Sequence, residues 1–356
     1  MMPFIQHIET ENAPYSVSQE ETVSVVRELF NDHFADINRL LKVFGNANIE
    51  NRYFSAPLTW FRQSHDFEEK NDRYIQEAVR MGSQAVERCL EKTGTPKTDI
   101  DALFFISSSG IATPTIDARI INELDLPPHI KRIPIWGLGC AGGAAGLSRA
   151  HEFLLAYPSA RVLVLCLELC SLTFQHNDTS KSNLVGTSLF ADGAACVLMT
   201  GEGKSHDSLL PRTVDTMSML MPHSEDVMGW DVKNEGLHVV FSRDIPTIIE
   251  NWLKPNVSTF LDRLDKKLLD ITHFVAHPGG KKVLEAYERA LGFTKDKTRP
   301  ARDVLAQQGN MSSPTVLYVL KKVMEEGPQP GESGLVTALG PGFSSEMVWI
   351  EWEDLT

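Results

Sequence analysis

Apolar positions along the chain follow two periods. Val23, Val26, Leu29 and Phe30 recur at helical spacing behind Ser18-Gln19-Glu20-Glu21, which has the S-x-x-E form of a capping box. A second helix is predicted over 34–44, with Arg39 and Lys42 three apart on one face. From about residue 100 short apolar runs alternate with helical patterns. Strands are predicted at 102–107, 132–136, 160–169 and 194–199, and helices at 115–124 and from about 142 to 157. A polar stretch at 201–207 sets the expected junction between an N-terminal half, 1–205, and a C-terminal half, 206–356. Beyond it, strands are predicted at 212–220, 236–241, 271–276, 335–339 and 344–352, and helices at 245–264, 281–291 and 311–324. A Gly-bearing loop separates the first two of those strands, and a Pro/Gly-rich surface loop spans 325–334. Strands alternating with helices imply layered α/β structure.

Composition narrows the class. The 356 residues are 42% hydrophobic and 23% charged, which is ordinary globular usage and enough for a large core. The net charge of −13 argues against nucleic-acid binding, because such a chain repels a phosphate polymer at long range. The longest strongly apolar run, 162–167, is far short of the about 20 residues of a membrane span. No basic or apolar leader opens the chain. Cys89, Cys140, Cys166, Cys170 and Cys196 are odd in number and scattered, which fits a reducing compartment better than a disulfide scaffold. A cytoplasmic protein without integral membrane association is expected.

Three residues at strand–helix junctions are candidates for chemistry. Cys140 follows Gly137-Leu138-Gly139 and precedes a Gly/Ala-rich helix. The glycines allow a sharp turn and close approach of a substrate, and the positive helix end is expected to lower the thiol pKa. The plainer reading is a small buried Cys in tight helix packing. Gly137-x-Gly139-x-x-Gly142 also matches a dinucleotide fingerprint, but the only acid at a suitable distance is Glu168, inside an apolar run. His277 precedes Pro278, so it ends a strand and projects from it. His273 and His277 are four apart, but on a strand rather than a helix, and no metal site is expected. Asn310 opens a helix, where a helix N-cap is the plain role and hydrogen bonding to an oxyanion the chemical one. A Cys, a His and an Asn together suit acyl transfer, either to water or to a carbon nucleophile.

Five ordered segments carry a family resemblance. Trp136 to Gly143, Leu184 to Ala195, Ala276-His277-Pro278-Gly279-Gly280, Gln308-Gly309-Asn310-Met311-Ser312-Ser313 and Leu339-Gly340-Pro341-Gly342 resemble type III polyketide synthases of the chalcone synthase superfamily. Among these, the chain looks closer to bacterial alkylpyrone and alkylresorcinol synthases than to plant enzymes. The resemblance implies the thiolase fold, five αβαβα layers in two similar halves, as a homodimer. It implies that Cys140 carries the starter and growing chain as thioesters. His277 and Asn310 would hold the thioester carbonyl while malonyl-CoA loses CO2. Phe190 matches the gatekeeper between the CoA tunnel and the cavity, although core packing is its plain reading. Cys170 and Thr173 match cavity positions, and Thr113 matches a residue reaching across the dimer. Val239 falls where plant enzymes carry a second gatekeeper ring.

Arg39 and Lys42 match two of three basic CoA-binding positions, while the third is Asn46; Gly279 and Gly280 also fall in the CoA-binding motif. Lys281 and Lys282 are candidates to make up the missing charge, with solvated surface charge as the alternative. Without a ring at Val239, a fatty acyl-CoA starter is expected, with CoA thioesters as substrates and no cofactor. The rivals are a ketoacyl-acyl-carrier-protein synthase, whose His motif normally continues Gln-Ala-Asn, a cysteine-dependent acyl-CoA thioesterase, and a non-catalytic acyl-binding protein.

Overall fold

The computed structural model describes residues 2–31, 36–201 and 209–354. The first half runs β1 (Phe4–Asn12), β2 (Tyr15–Ser18), α1 (Gln19–Phe30), α2 (Ile37–Asn46), β3 (Asn51–Phe54), α3 (Leu58–Phe61), α4 (Phe67–Thr93), β4 (Ala102–Ile106), α5 (Ile116–Glu123), β5 (Lys131–Ile135), α6 (Gly142–Ala156), β6 (Arg161–Leu169), α7 (Lys181–Leu189) and β7 (Asp192–Thr200). The second runs β8 (Leu209–Leu220), β9 (Met228–Lys233), β10 (Gly236–Phe241), α8 (Ile245–Arg263), β11 (His273–Ala276), α9 (Lys281–Leu291), α10 (Arg299–Gln308), α11 (Ser313–Glu325), β12 (Ser333–Gly340) and β13 (Ser344–Asp354). The expected junction at 205/206, and the start of the helix expected from residue 34, lie outside the described residues.

The predicted elements form where the periodicity placed them. The Ser18 box closes as expected, with Ser18 Oγ accepting from Glu21 N and the Glu21 carboxylate accepting from Ser18 N. Alternation in the strands sends side chains into two cores. In β6, Val162, Val164 and Cys166 enter one core, and Leu163, Leu165, Leu167 and Leu169 enter the other. Strands buried on both faces read as continuous apolar runs, which is why 160–169 stood out.

Strand order is β11-β12-β13-β8-β1-β7-β6-β4-β5. Two sheets meet at a single pair, Phe4 opposite Arg212. In the first, β1 is antiparallel to β7, β7 to β6, and β6 is parallel to β4. In the second, β8 is antiparallel to β13, β13 to β12, and β12 is parallel to β11. The pairing pattern repeats, so the halves are similar. Helices α6 and α11 pack on each other and between the sheets, α4 and α5 cover the first sheet, and α8 and α9 form the outer layer of the second half. This is the five-layer αβαβα thiolase arrangement.

Eight elements escaped the sequence pattern: β1, β2, β3, α3, α4, α7, β9 and α10. β1 is the last strand of the first sheet, where it meets the second, although its alternation mixes charges with apolar residues. α4 is a 27-residue helix with its own capping box, Asp66 and Glu69, and Gly94 in the left-handed region at its end. β9 lies in the stretch read as a Gly-bearing loop and pairs with β10 as a hairpin. It is half-exposed with no clean alternation, so its partner rather than its pattern defines it.

Candidate active site

The site gathers at the ends of elements from both halves. Cys140 sits in a 3₁₀ turn, Gly139–Ala141, that leads into α6. Gly139 has φ of 45°, a left-handed conformation that favours glycine. His277 leaves the end of β11, its backbone N–H donating to Thr337 O at 2.9 Å. Asn310 lies between α10 and α11. The N-cap position of α11 is Ser312, not Asn310. Instead Asn310 is bolted to the segment after α7: its N–H donates to Leu189 O and its carbonyl accepts from Ala191 N, both at 2.9 Å. Its side chain donates from Nδ2 to Gly279 O at 3.3 Å and accepts Ser312 N at 2.8 Å. That fixes Asn310 Oδ1 at 4.0 Å from Cys140 Sγ.

Cys140, His277 and Asn310 line one cavity of about 230 Å³, with Gly279, Gly280, Lys281 and Lys282 also on its wall. All three reacting side chains are buried. Neither ring nitrogen of His277 has a hydrogen-bond partner among the described residues. Burial pushes the Cys140 thiol up to about 11, assisted by the charge of Glu168 and opposed by hydrogen bonds to Ser312 and Asn310. Burial alone pushes the His277 imidazole down to about 3. The expectation of a thiol ionised by the helix end is therefore corrected: at rest both groups are neutral. Loss of water around the charge outweighs the helix dipole. A thiolate in this chamber would need the imidazolium to form with it.

The Gly/Ala richness after Cys140 also has a packing cause. A Cβ on Gly143 would lie 2.3 Å from Ser313 O, so α6 and α11 approach through bare backbone. The plain reading of tight helix packing holds for the helix, alongside the turn.

Phe190 caps α7, its ring 5.8 Å from Trp230 and 5.7 Å from Phe241. Phe241 lines the Cys140 cavity. Phe190 itself lines a second, narrower chamber of about 40 Å³ with Cys170, Thr173 and Val239, among Val25, Val26, Leu29, Phe54 and Phe61. These three expected cavity residues thus lie beyond Phe190, not on the wall beside Cys140. Val239 packs toward Gly186, where an added Cβ would sit 3.2 Å from Val239 Cγ1. Thr113 is exposed and lines neither chamber. The side chains of Arg39 and Lys42 are exposed on α2 and form no ion pair with a described residue. One turn further along α2, Val43 and Asn46 reach the wall of the larger cavity.

Two buried groups escaped the sequence reading. Glu168, fully buried at the end of β6, accepts Ser108 N at 2.9 Å and Ser313 Oγ at 3.0 Å, and burial pushes its carboxyl up to about 7. Its signal was visible as the one acid in an apolar strand. Arg52 donates to Thr187 O at 2.6 Å, Phe190 O at 2.8 Å and Gln19 Oε1 at 2.8 Å. It gathers carbonyls at the C-terminus of α7, a favourable place for a cation, and so holds the segment bonded to Asn310. Nothing in the local pattern around residue 52 announced it.

Known proteins share this arrangement along nearly the whole chain. Residues 17–203 match the N-terminal domain of chalcone and stilbene synthases and residues 213–352 the C-terminal domain. A Bacillus subtilis (strain 168) protein with the provisional name chalcone synthase is 49% identical, over 99% of each chain. The 1,3,6,8-tetrahydroxynaphthalene synthase of Streptomyces peucetius subsp. caesius is 33% identical, over 97% of this chain and 92% of that one. The crystal structure of 1,3,6,8-tetrahydroxynaphthalene synthase from Streptomyces coelicolor A3(2), a bacterial type III polyketide synthase, superposes with a TM-score of 0.93 at 29% identity, covering 98% of this chain and 99% of that one. With both domains matched and the fold shared, the chain belongs to the chalcone and stilbene synthase family and is a type III polyketide synthase, an acyltransferase.

Proposed function

We propose that this synthase condenses a fatty acyl-CoA starter with malonyl-CoA and releases alkylpyrones, with alkylresorcinols as further products. The observation that carries this reading is the narrow chamber beyond Phe190. Aliphatic and aromatic side chains, Val239 among them, make up most of its wall, with Thr22, Arg52, Ser171, Thr173, Asn183 and Thr187 completing it, and its mainly apolar lining suits a hydrocarbon tail.

In this reading Cys140 Sγ attacks the acyl-CoA carbonyl as His277 takes its proton, and the CoA thiol leaves with a proton. Malonyl-CoA then loses CO2. The resulting enolate oxygen is met by His277 and by the second N–H of Asn310, and the enolate carbon attacks the Cys140 thioester, forming the new C–C bond as the C–S bond breaks and Cys140 leaves as a thiolate that takes up a proton. Donors preset in a dry pocket stabilise that charge, by about 2.7–4 kcal/mol for a comparable oxyanion donor. The chemistry as proposed needs no metal and no cofactor beyond the CoA thioesters. Arg39, Lys42, Lys281 and Lys282 would receive the CoA phosphates, with the lysine pair on the cavity wall offsetting the neutral Asn46. A cytoplasmic homodimer is part of the same reading. β5 is an unpaired sheet edge, and Ile111 and Trp136 beside it are 44% and 53% exposed. Thr113 on the adjoining loop would then reach the partner's cavity. Among the described residues no helix is long and apolar enough to cross a membrane.

Labelled malonyl-CoA offered with a panel of acyl-CoAs tests this, with products read by mass. Hexanoyl- to palmitoyl-CoA are expected to give pyrones, and Cys140→Ala to give none. Turnover with an aromatic starter alone would reject the fatty acyl reading. Free fatty acid formed without use of malonyl-CoA would favour a thioesterase.

A further inference from the structure

One more polar group in the Cys140 cavity lacks a partner. Tyr287, on α9, is fully buried. It lines the same cavity as Cys140, His277 and Asn310. Its hydroxyl bonds to no described residue. The ring is well seated, edge-on to Phe274 with centroids 5.7 Å apart, so packing accounts for the ring and leaves the oxygen unexplained. A phenylalanine would fill the same space without a buried, unbonded hydroxyl, which is expensive to keep. α9 begins directly after Gly280, so the segment carrying the imidazole also carries the phenol. Val283, one turn before Tyr287, shares the cavity wall, which places this face of α9 toward the ligand space.

The group keeps a proton to donate. Burial, and secondarily the Cys140 sulfur, push its ionisation upward, so it stays a neutral O–H at any working pH. A buried neutral donor facing a thioester chamber suits a carbonyl oxygen.

We propose that Tyr287 Oη is a substrate-contacting hydrogen-bond donor that takes a carbonyl oxygen of the acyl chain carried on Cys140. This rests on the reading of Cys140 as the acyl carrier. His277 and Asn310 then serve the enolate, and Tyr287 serves the electrophile, gaining strength as negative charge builds on that oxygen during attack.

The test is Tyr287→Phe in the full chain, using hexanoyl-CoA and labelled malonyl-CoA. Melting of the free protein, acylation of Cys140 by intact mass, and product formation are read separately. The variant is expected to melt at or above the wild-type temperature and to lose about 10²-fold in kcat, with KM for malonyl-CoA unchanged. Wild-type turnover in the variant overturns the proposal. A lowered melting temperature also overturns it, because the hydroxyl would then have a structural partner. If the wild type acylates but makes no polyketide, the proposed function fails alone. Tyr287 is then judged by the gain in melting temperature on acylation: a larger gain in wild type than in the variant supports the donor, and equal gains overturn it. If hexanoyl-CoA does not acylate wild-type Cys140 at all, both readings fall.

Discussion

Burial shifts Glu168 and His277 in opposite directions, each toward its uncharged form. The carboxyl is pushed up to about 7 from 4.5, and the imidazole down to about 3 from 6.5, so His277 is neutral at working pH while Glu168 titrates near neutrality. The consequences for stability have opposite signs. Between pH 4.5 and 7 native Glu168 keeps a proton that the unfolded chain releases, so its contribution is full below pH 4.5 and is lost as pH rises through about 7. Between pH 3 and 6.5 the unfolded chain binds a proton that native His277 refuses, so that contribution is lost as pH falls. Glu168→Gln should remove the first slope. Its melting temperature is expected to decline less than wild type's from pH 4.5 to 7, and an equal decline would show that Glu168 does not titrate in that window. At this scale the sequence was half legible. Cys140, His277 and Asn310 stood out because each sits at a strand or helix end beside glycine or proline. Their charge states did not, because burial is set by every element around the cavity.

Close approach of α6 and α11 is what places Cys140 near Asn310. Gly143 touches Ser313 O of α11, and backbone cannot rotate away as a side chain can. Gly143→Ala gains about 1 kcal/mol of helix propensity but should lose about 1–3 kcal/mol to overpacking. Net destabilisation is expected, with reduced turnover as the Cys140 turn shifts from Asn310. Gly45→Ala is the control: it lies in α2 with nothing within 4 Å of the added Cβ, so propensity acts alone and the variant should be more stable. Urea midpoints for the pair check both signs. Element identity was readable wherever one period dominated, as in the double-faced strand β6. It was hidden in β9, whose partner strand supplies the order, and in β1, whose charged residues break the apolar run.

At the scale of the whole molecule, the open edge of β5 is an unfinished surface. Edge strands with exposed large apolar neighbours are usually covered. Trp136→Glu puts a charge beside that edge while leaving the chamber walls untouched, and it should shift the protein from dimer to monomer by light scattering. A protein that is monomeric before substitution would remove the homodimer from the proposed function.

The chain by itself determined its layered α/β class and singled out Cys140, His277 and Asn310, because periodicity and glycine, proline and capping signals are local. Tertiary structure alone decided that Cys140 and His277 rest neutral, and that Val239, Cys170 and Thr173 stand beyond Phe190 in a chamber of their own. It also decided that Arg52 anchors the segment bonded to Asn310, and that Tyr287 lines the site with its hydroxyl unbonded. Each of these depends on residues more than 30 positions away in the chain meeting in a volume closed to water, which local patterns do not encode.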